Sequence, residues 1–172
     1  MKVIFLDIDG VLNSEEYFKR WHEENLGQKG HDHYVDEIAV DRLMDLIQKT
    51  GCYIILSSSW RRHNLPDTIL YLSEHRSLDR IQPYLIGITP RLWQYRGRGD
   101  EIKRLMNEWS DWVKRGLISE KFKDDKINNY VILDDDSDML DEQKEHFIHT
   151  KWAVGLQDSD VEKCLNILGG NH

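Results

Sequence analysis

Basic residues are in deficit in this chain: 23 Lys and Arg stand against 31 Asp and Glu, a formal net charge of −8. That balance argues against broad nonspecific binding to nucleic acid and leaves room only for a local basic site. Cysteine is scarce too, with two in 172 residues. A disulfide scaffold is excluded, and Cys52 and Cys164 are expected to be reduced thiols of a cytoplasmic protein, Cys52 opening a buried strand. No apolar run approaches membrane-spanning length, and the apolar segment at the N-terminus is too short and too acidic for a signal peptide. Proline numbers only three, and there are no internal repeats, low-complexity tracts or linkers. What is present is an ordinary globular balance, 40% hydrophobic and 31% charged, enough for one domain over residues 1–172. Six tryptophans exceed what a core of this size needs, so some are expected to line a surface or pocket.

The organising stretch is the first one, Lys2-Val-Ile-Phe-Leu-Asp-Ile-Asp-Gly-Val-Leu-Asn13. Its unbroken apolar run suits a strand covered on both faces in a parallel sheet. It ends on Asp7 and Asp9, with Gly10 where the backbone can turn. Residues 14–35 read as an insertion at this strand's exit, a short helix carrying Tyr17, Phe18 and Trp21 followed by a loop. His31, Asp32 and His33 in that loop read better as solvated groups than as metal ligands.

Asp36 is placed to cap a helix that puts Val40, Leu43, Met44 and Ile47 on one face, with Gly51 ending it. Tyr53-Ile-Ile-Leu56 is a second apolar strand, and it runs into Ser57-Ser-Ser-Trp-Arg61. Pro66 opens a helix. A short strand is expected near 83–88, then the Arg-, Trp- and Tyr-rich loop 89–99, then a helix from Asp100 carrying Ile102, Leu105, Met106, Trp109 and Val113. Residues 116–128 are charged and irregular. Tyr130-Val-Ile-Leu133 is a further strand ending on Asp134-Asp-Asp-Ser-Asp138. Phe147 and Ile148 belong to a last strand, and Ser159 to Glu162 has the form of a capping box for the final helix. Alternating strands and helices of this kind predict a three-layer α/β/α sandwich with a Rossmann-like, doubly wound parallel sheet.

In such a sheet ligands gather beyond the carboxyl ends of the strands. Asp7, Asp9, Asp134, Asp135 and Asp138 would crowd there and repel one another unless a cation neutralises them. Mg²⁺ suits this donor set: Asp7 and Asp134 would supply carboxylates and Asp9 a backbone carbonyl, with waters and a phosphate filling the shell. Ser57 or Ser58 offers a hydroxyl and backbone N–H groups for phosphate oxygens, and Arg98 or Lys103 offers a cation.

Taken together, Asp7-Ile-Asp-Gly-Val-Leu-Asn13, the strand end Ser57-Ser-Ser-Trp, a basic residue before a helix and Leu133-Asp-Asp-Asp-Ser-Asp138 resemble the four motifs of the haloacid dehalogenase (HAD) superfamily. They fall in that family's order and cover most of the chain. The resemblance implies a Mg²⁺-dependent phosphatase, with Asp7 as nucleophile and Asp9 as general acid and base. It implies Asp7, Asp9, Asp134 and either Asp135 or Asp138 around the metal, and Ser57 or Ser58 with Arg98 or Lys103 on the phosphoryl group. Val11 stands where the family usually has threonine, so a hydroxyl sometimes used in the site is missing. The serine run leaves the second motif's register open by one residue.

The insertion at 14–35 is short for a cap, and a nearly open site favours a large substrate such as a nucleic-acid end or a phosphoprotein, or a lid supplied by an oligomeric partner. Trp93 and Tyr95 beside Arg91, Arg96 and Arg98 would stack a base and hold phosphates, and the Ser-Trp-Arg form of the second motif loosely resembles polynucleotide-end-healing phosphatases. The competing expectations are a small phosphorylated molecule as substrate, a phosphotransferase with an acceptor other than water, and a non-catalytic phosphate-binding module. Retention of both Asp7 and Asp9 speaks against the last.

Overall fold

The computed structural model describes residues 1–25, 35–92 and 97–169. Five parallel strands form one sheet: β1 (Lys2–Leu6), β2 (Tyr53–Leu56), β3 (Leu85–Ile88), β4 (Asn129–Asp134) and β5 (Phe147–His149), in the order β3-β2-β1-β4-β5. Helices flank it, giving the Rossmann-like α/β/α architecture expected of the alternating pattern. They are α1 (Glu15–Glu24), α2 (Glu37–Thr50), α3 (Leu65–Ser73), α4 (Arg98–Asn107), α5 (Trp109–Lys114) and α6 (Asp158–Leu168).

β1 sits at the centre because it can be covered on both faces. Val3, Ile4, Phe5 and Leu6 have no exposure at all, and β1 pairs with β2 on one side and β4 on the other. Truncating one of these fully buried side chains to alanine would cost about 2–5 kcal/mol. The pairing aligns Leu6 with Leu56 and with Leu133. Asp7, Ser57 and Asp134, each following one of these three residues in the chain, therefore leave the sheet side by side. Strand order changes direction at β1, the place where such sheets open a crevice.

Local chemistry accounts for the helix boundaries. The Asp36 carboxylate accepts the Ile38 N–H at 3.0 Å, and Gly51 closes α2 at φ +66°. Asn64 caps α3, accepting the Asp67 N–H at 2.8 Å. Four boundaries differ from expectation. Residues Gln82–Tyr84 form a 3-10 turn, so β3 begins only at Leu85. The helix expected from Asp100 starts at Arg98, because Asp138, forty residues on, accepts the Arg98 N–H at 2.8 Å. That helix also breaks at Glu108, leaving Trp109 and Val113 on the separate α5. The last helix starts at Asp158 rather than after Ser159, with Asp160 accepting the Gln157 N–H at 3.2 Å. Of the insertion at 14–35, α1 is a helix as expected, capped by Ser14; His31, Asp32 and His33 lie outside the described residues. No helix among the described residues is long and apolar enough to cross a membrane.

Candidate active site

Asp7 leaves β1 almost fully buried, at 5% exposure. Its N–H continues the sheet by donating to Leu133 at 2.9 Å, and its Oδ1 accepts the Ile8 N–H at 2.7 Å. The carboxylate is thus fixed by its own backbone. Asp134, the last residue of β4, has no exposure; its Oδ1 accepts the Asp136 N–H at 2.9 Å. Asp135 follows, and Asp7, Asp134 and Asp135 bring one carboxylate oxygen each within 4.8 Å of one another. Gly10 makes this approach possible. It turns at φ +71°, and a Cβ there would stand 2.2 Å from the Asp135 Cγ, so a side chain at position 10 would push Asp135 out of the group.

Burial of like charges sets the electrostatics. The Asp7 carboxyl is held above the usual carboxylate range, chiefly by burial, against opposing help from Arg98, Ser58 and the Ile8 N–H. Asp134 is pushed up to about 8, first by burial and then by repulsion from Asp7; the Asp136 N–H and Arg98 work against the rise. Asp135 is raised as well, by burial and then by Asp136. Among the described residues, Arg98 is the cation paired with this group. Its guanidinium lies 3.6 Å from Asp7 Oδ2 and 3.4 Å from Asp134 Oδ2. The second contact is an ion pair without hydrogen-bond geometry, and Asp134 Oδ2 is left buried with no hydrogen-bond donor.

A buried carboxylate oxygen without a donor, beside two further carboxylates, is costly unless something positive fills the gap. The donor set is all oxygen, which fits a hard divalent cation and not a soft one. Asp7, Asp134 and Asp135 are the residues that would hold it.

The remaining candidates are distributed as follows. Asp9 is outside the three-carboxylate group: its Oδ1 accepts from Asn13 Nδ2 at 2.8 Å and its Oδ2 from the Trp60 indole N–H at 2.9 Å. Those two donors hold it beside the acidic group with its oxygens already oriented. The Ser58 hydroxyl lies close enough to hold the Asp7 carboxyl down and accepts the Trp60 N–H at 3.3 Å, whereas Ser57 accepts from the Thr89 hydroxyl at 3.5 Å. Asp138 is committed to the start of α4 through the Arg98 N–H. Lys103 points away, paired with Glu142 at 2.9 Å on the surface. Trp93, Tyr95 and Arg96 lie outside the described residues.

Three functional neighbours were not legible as such. Trp60 donates to Asp9, as above. Arg61 is buried, its guanidinium donating to the Ser58 carbonyl and to Glu101, both at 2.5 Å. Burial lowers the Arg61 guanidinium to about 10 in spite of Glu101. Glu101, on the first turn of α4, also stands 3.9 Å from Arg98 and accepts the Leu92 N–H at 3.3 Å. Glu101 therefore ties the serine loop to the helix that carries Arg98. The signal was the Trp-Arg pair following the serines, which composition alone treats as a solvated turn. Val11, in place of the usual threonine, is fully buried; the turn it occupies is secured by Asn13, whose Oδ1 accepts the Gly10 N–H at 3.0 Å.

Such an arrangement can present a fixed carboxylate to an electrophile, place a second acid beside it, and neutralise an anion with a guanidinium and a bound cation. Residues 3–161 match the family model described as the HAD domain in Swiss Army Knife RNA repair proteins. No curated protein and no solved structure matches the chain.

Proposed function

The chain belongs to the family of HAD domains found in Swiss Army Knife RNA repair proteins, and from that premise we propose that it is a Mg²⁺-dependent phosphatase that removes a terminal phosphate from a nucleic-acid end. The observation that carries the reading is the juxtaposition of Asp7, Asp134 and Asp135 with Arg98 at the ends of two neighbouring strands. Nothing in the core requires buried like charges there, and their repulsion is a cost that phosphoryl chemistry explains.

In this mechanism an Asp7 carboxylate oxygen attacks phosphorus and the bond to the leaving oxygen breaks, leaving an aspartyl phosphate. The backbone N–H of Ile8 holds the other Asp7 oxygen, so the attacking one is fixed in direction. Asp9, held by Asn13 and Trp60, donates its proton to the departing oxygen. It then takes a proton from the water that attacks the aspartyl phosphate, which releases inorganic phosphate and restores both side chains. Arg98 and the Ser58 hydroxyl bind the phosphoryl oxygens as charge shifts among them. Mg²⁺, held by Asp7, Asp134 and Asp135, would supply charge neutralisation for the phosphate and keep the carboxylates ionised.

The test is release of phosphate by purified protein, with and without Mg²⁺, from an aryl phosphate and from oligonucleotides phosphorylated at the 3′ or 5′ end. Metal-dependent release that disappears in Asp7→Asn, with the far-ultraviolet spectrum unchanged, is the expected result. Turnover by Asp7→Asn near that of the parent would remove Asp7 from the nucleophile role.

A further inference from the structure

A second concentration of charge lies beside the acidic group, and it has the opposite sign. Arg62, Arg91, Arg104 and Arg115 line a cavity of about 360 Å³, together with His63 and the Trp112 ring. No carboxylate lines it among the described residues. In a chain where acids outnumber bases 31 to 23, four arginines around one hollow are not what chance placement gives.

The arginines come from three separate parts of the fold. Arg62 follows the serine loop, Arg91 follows β3, and Arg104 and Arg115 come from α4 and the end of α5. Their stems are already placed. Arg62 stacks over Tyr71 at 3.4 Å and Arg115 over Trp112 at 4.8 Å. Arg91 donates to the carbonyls of Ser59 at 3.0 Å and Arg61 at 2.7 Å. Arg104 pairs with Glu108 at 3.1 Å. Arg62 and Arg115 are held on aromatic rings, Arg91 on backbone carbonyls and Arg104 by Glu108 one turn on, so all four are anchored where they line the hollow.

The cavity is physically joined to the acidic group. The loop that Arg91 fastens is Ser57–Arg61, whose Trp60 indole donates to Asp9 at 2.9 Å. The cavity also takes in Thr89 and Pro90, and Thr89 touches Ser57. One short loop thus has the reacting carboxylates on one side and the arginine cavity on the other.

We propose that this arginine-lined cavity is the subsite for the polynucleotide strand itself, binding a backbone phosphate one or more nucleotides away from the end held at Asp7. The proposal rests on the phosphatase reading of the acidic group, and it adds where the body of the substrate is gripped. A mononucleotide or small phosphate ester would engage only the Asp7 group. A strand would engage both, because guanidiniums suit phosphodiester oxygens bidentately and their planes accept stacked bases. The strand is favoured over an acidic protein segment because guanidinium planes accept a stacked base as well as bidentate phosphate oxygens, and a carboxylate peptide uses only the second.

The experiment uses Arg104→Gln/Arg115→Gln, two positions on the cavity wall outside the Asp7, Asp134 and Asp135 group. Binding is read in the Asp7→Asn background, so that the end phosphate stays on, by fluorescence anisotropy of a short labelled RNA with a terminal phosphate across a salt series. Turnover of an aryl phosphate is read separately in the protein with Asp7 intact. Two lost phosphate contacts on a single strand should reduce the salt slope by about 1.4 and weaken binding by roughly tenfold at moderate salt. Aryl phosphate turnover should stay within about twofold of the parent, since that substrate does not reach the cavity. An unchanged RNA affinity and salt slope would overturn the subsite. So would a polyglutamate peptide that competes with the RNA at equal charge and depends equally on the two arginines; that result would make the cavity a protein-docking site. If the parent turns over no aryl phosphate, the phosphatase reading fails, and the anisotropy series still decides the subsite by itself.

Discussion

Metal-free protein should lose stability as pH rises through neutrality, the reverse of the usual behaviour of a carboxylate. Asp134 has a folded-state value of about 8 against an ordinary 3.8, because burial and then Asp7 oppose its ionisation. Between those values the folded state holds a proton that the unfolded chain has released. Stability from this group is therefore fully present below about pH 4 and drains away until about pH 8. Over the accessible window from pH 5.5 to 8 the ceiling is about 3 kcal/mol, at about 1.36 kcal/mol per unit. Relaxation and water entry around the buried carboxylate reduce this to roughly 2 kcal/mol. For a chain of this length that is a fall in Tm of roughly 4–8 °C. His75 acts in the opposite sense: burial lowers its imidazole, so its contribution is lost as pH falls. Comparison with Asp134→Asn separates the two, since the variant keeps His75 and loses the carboxylate. Thermal melts in chelator, from pH 5.5 to 8, are the assay. Mg²⁺ should raise Tm more at pH 8 than at pH 6, because binding requires the ionised carboxylates. A metal-free Tm whose pH slope is the same in the parent and in Asp134→Asn would refute the assignment of the effect to Asp134.

Two other expectations follow from neighbours of the acidic group. Glu101→Gln strips the counter-charge from buried Arg61; breaking such a pair costs about 3–5 kcal/mol, so a urea melt should show a clear loss that Arg61→Met in the same chain partly restores. A single variant as stable as the parent would mean that the pair does not hold the serine loop. Trp60→Phe keeps the ring against Tyr71 and His75 but removes the N–H on Asp9. Its kcat should fall about tenfold for a ribose phosphate, whose leaving oxygen needs a proton, and little for a nitrophenyl phosphate, whose leaving oxygen does not. Equal losses on both substrates would place Trp60 in packing alone.

The central strand and the acidic ends of β1 and β4 were legible because they depend on short runs. Four apolar residues followed by an acid specify a buried parallel strand and what stands at its exit, whatever the rest of the chain does. The start of α4 was not legible, because the group that satisfies its N-terminus is Asp138, remote in sequence. The same contact explains why Asp138 looked like one more acid of the group: the string of aspartates after β4 gives no sign of which carboxylate turns back to a helix. Arg98 and Lys103 were equivalent in sequence, both being basic residues near a helix start. Their separation depends on the helix phase, which brings Arg98 to the carboxylates and Lys103 to Glu142. Buried Arg61 escaped notice for a related reason: an arginine after a turn is usually solvated, and only its ion pair with Glu101 from a distant helix makes its burial tolerable. The family match reinforces the reading of the motifs without choosing among these side chains.

Whether Asp7 becomes phosphorylated decides the central claim. A ³²P-labelled terminal phosphate can be mixed with excess protein and Mg²⁺, quenched in acid on the timescale of a single turnover, and the chain digested. The mechanism predicts transient label on the peptide that contains Asp7, released by hydroxylamine as an acyl phosphate must be, and absent from Asp7→Asn. Phosphate released at full rate with no protein-bound label at any time, or label that persists in Asp7→Asn, would contradict it.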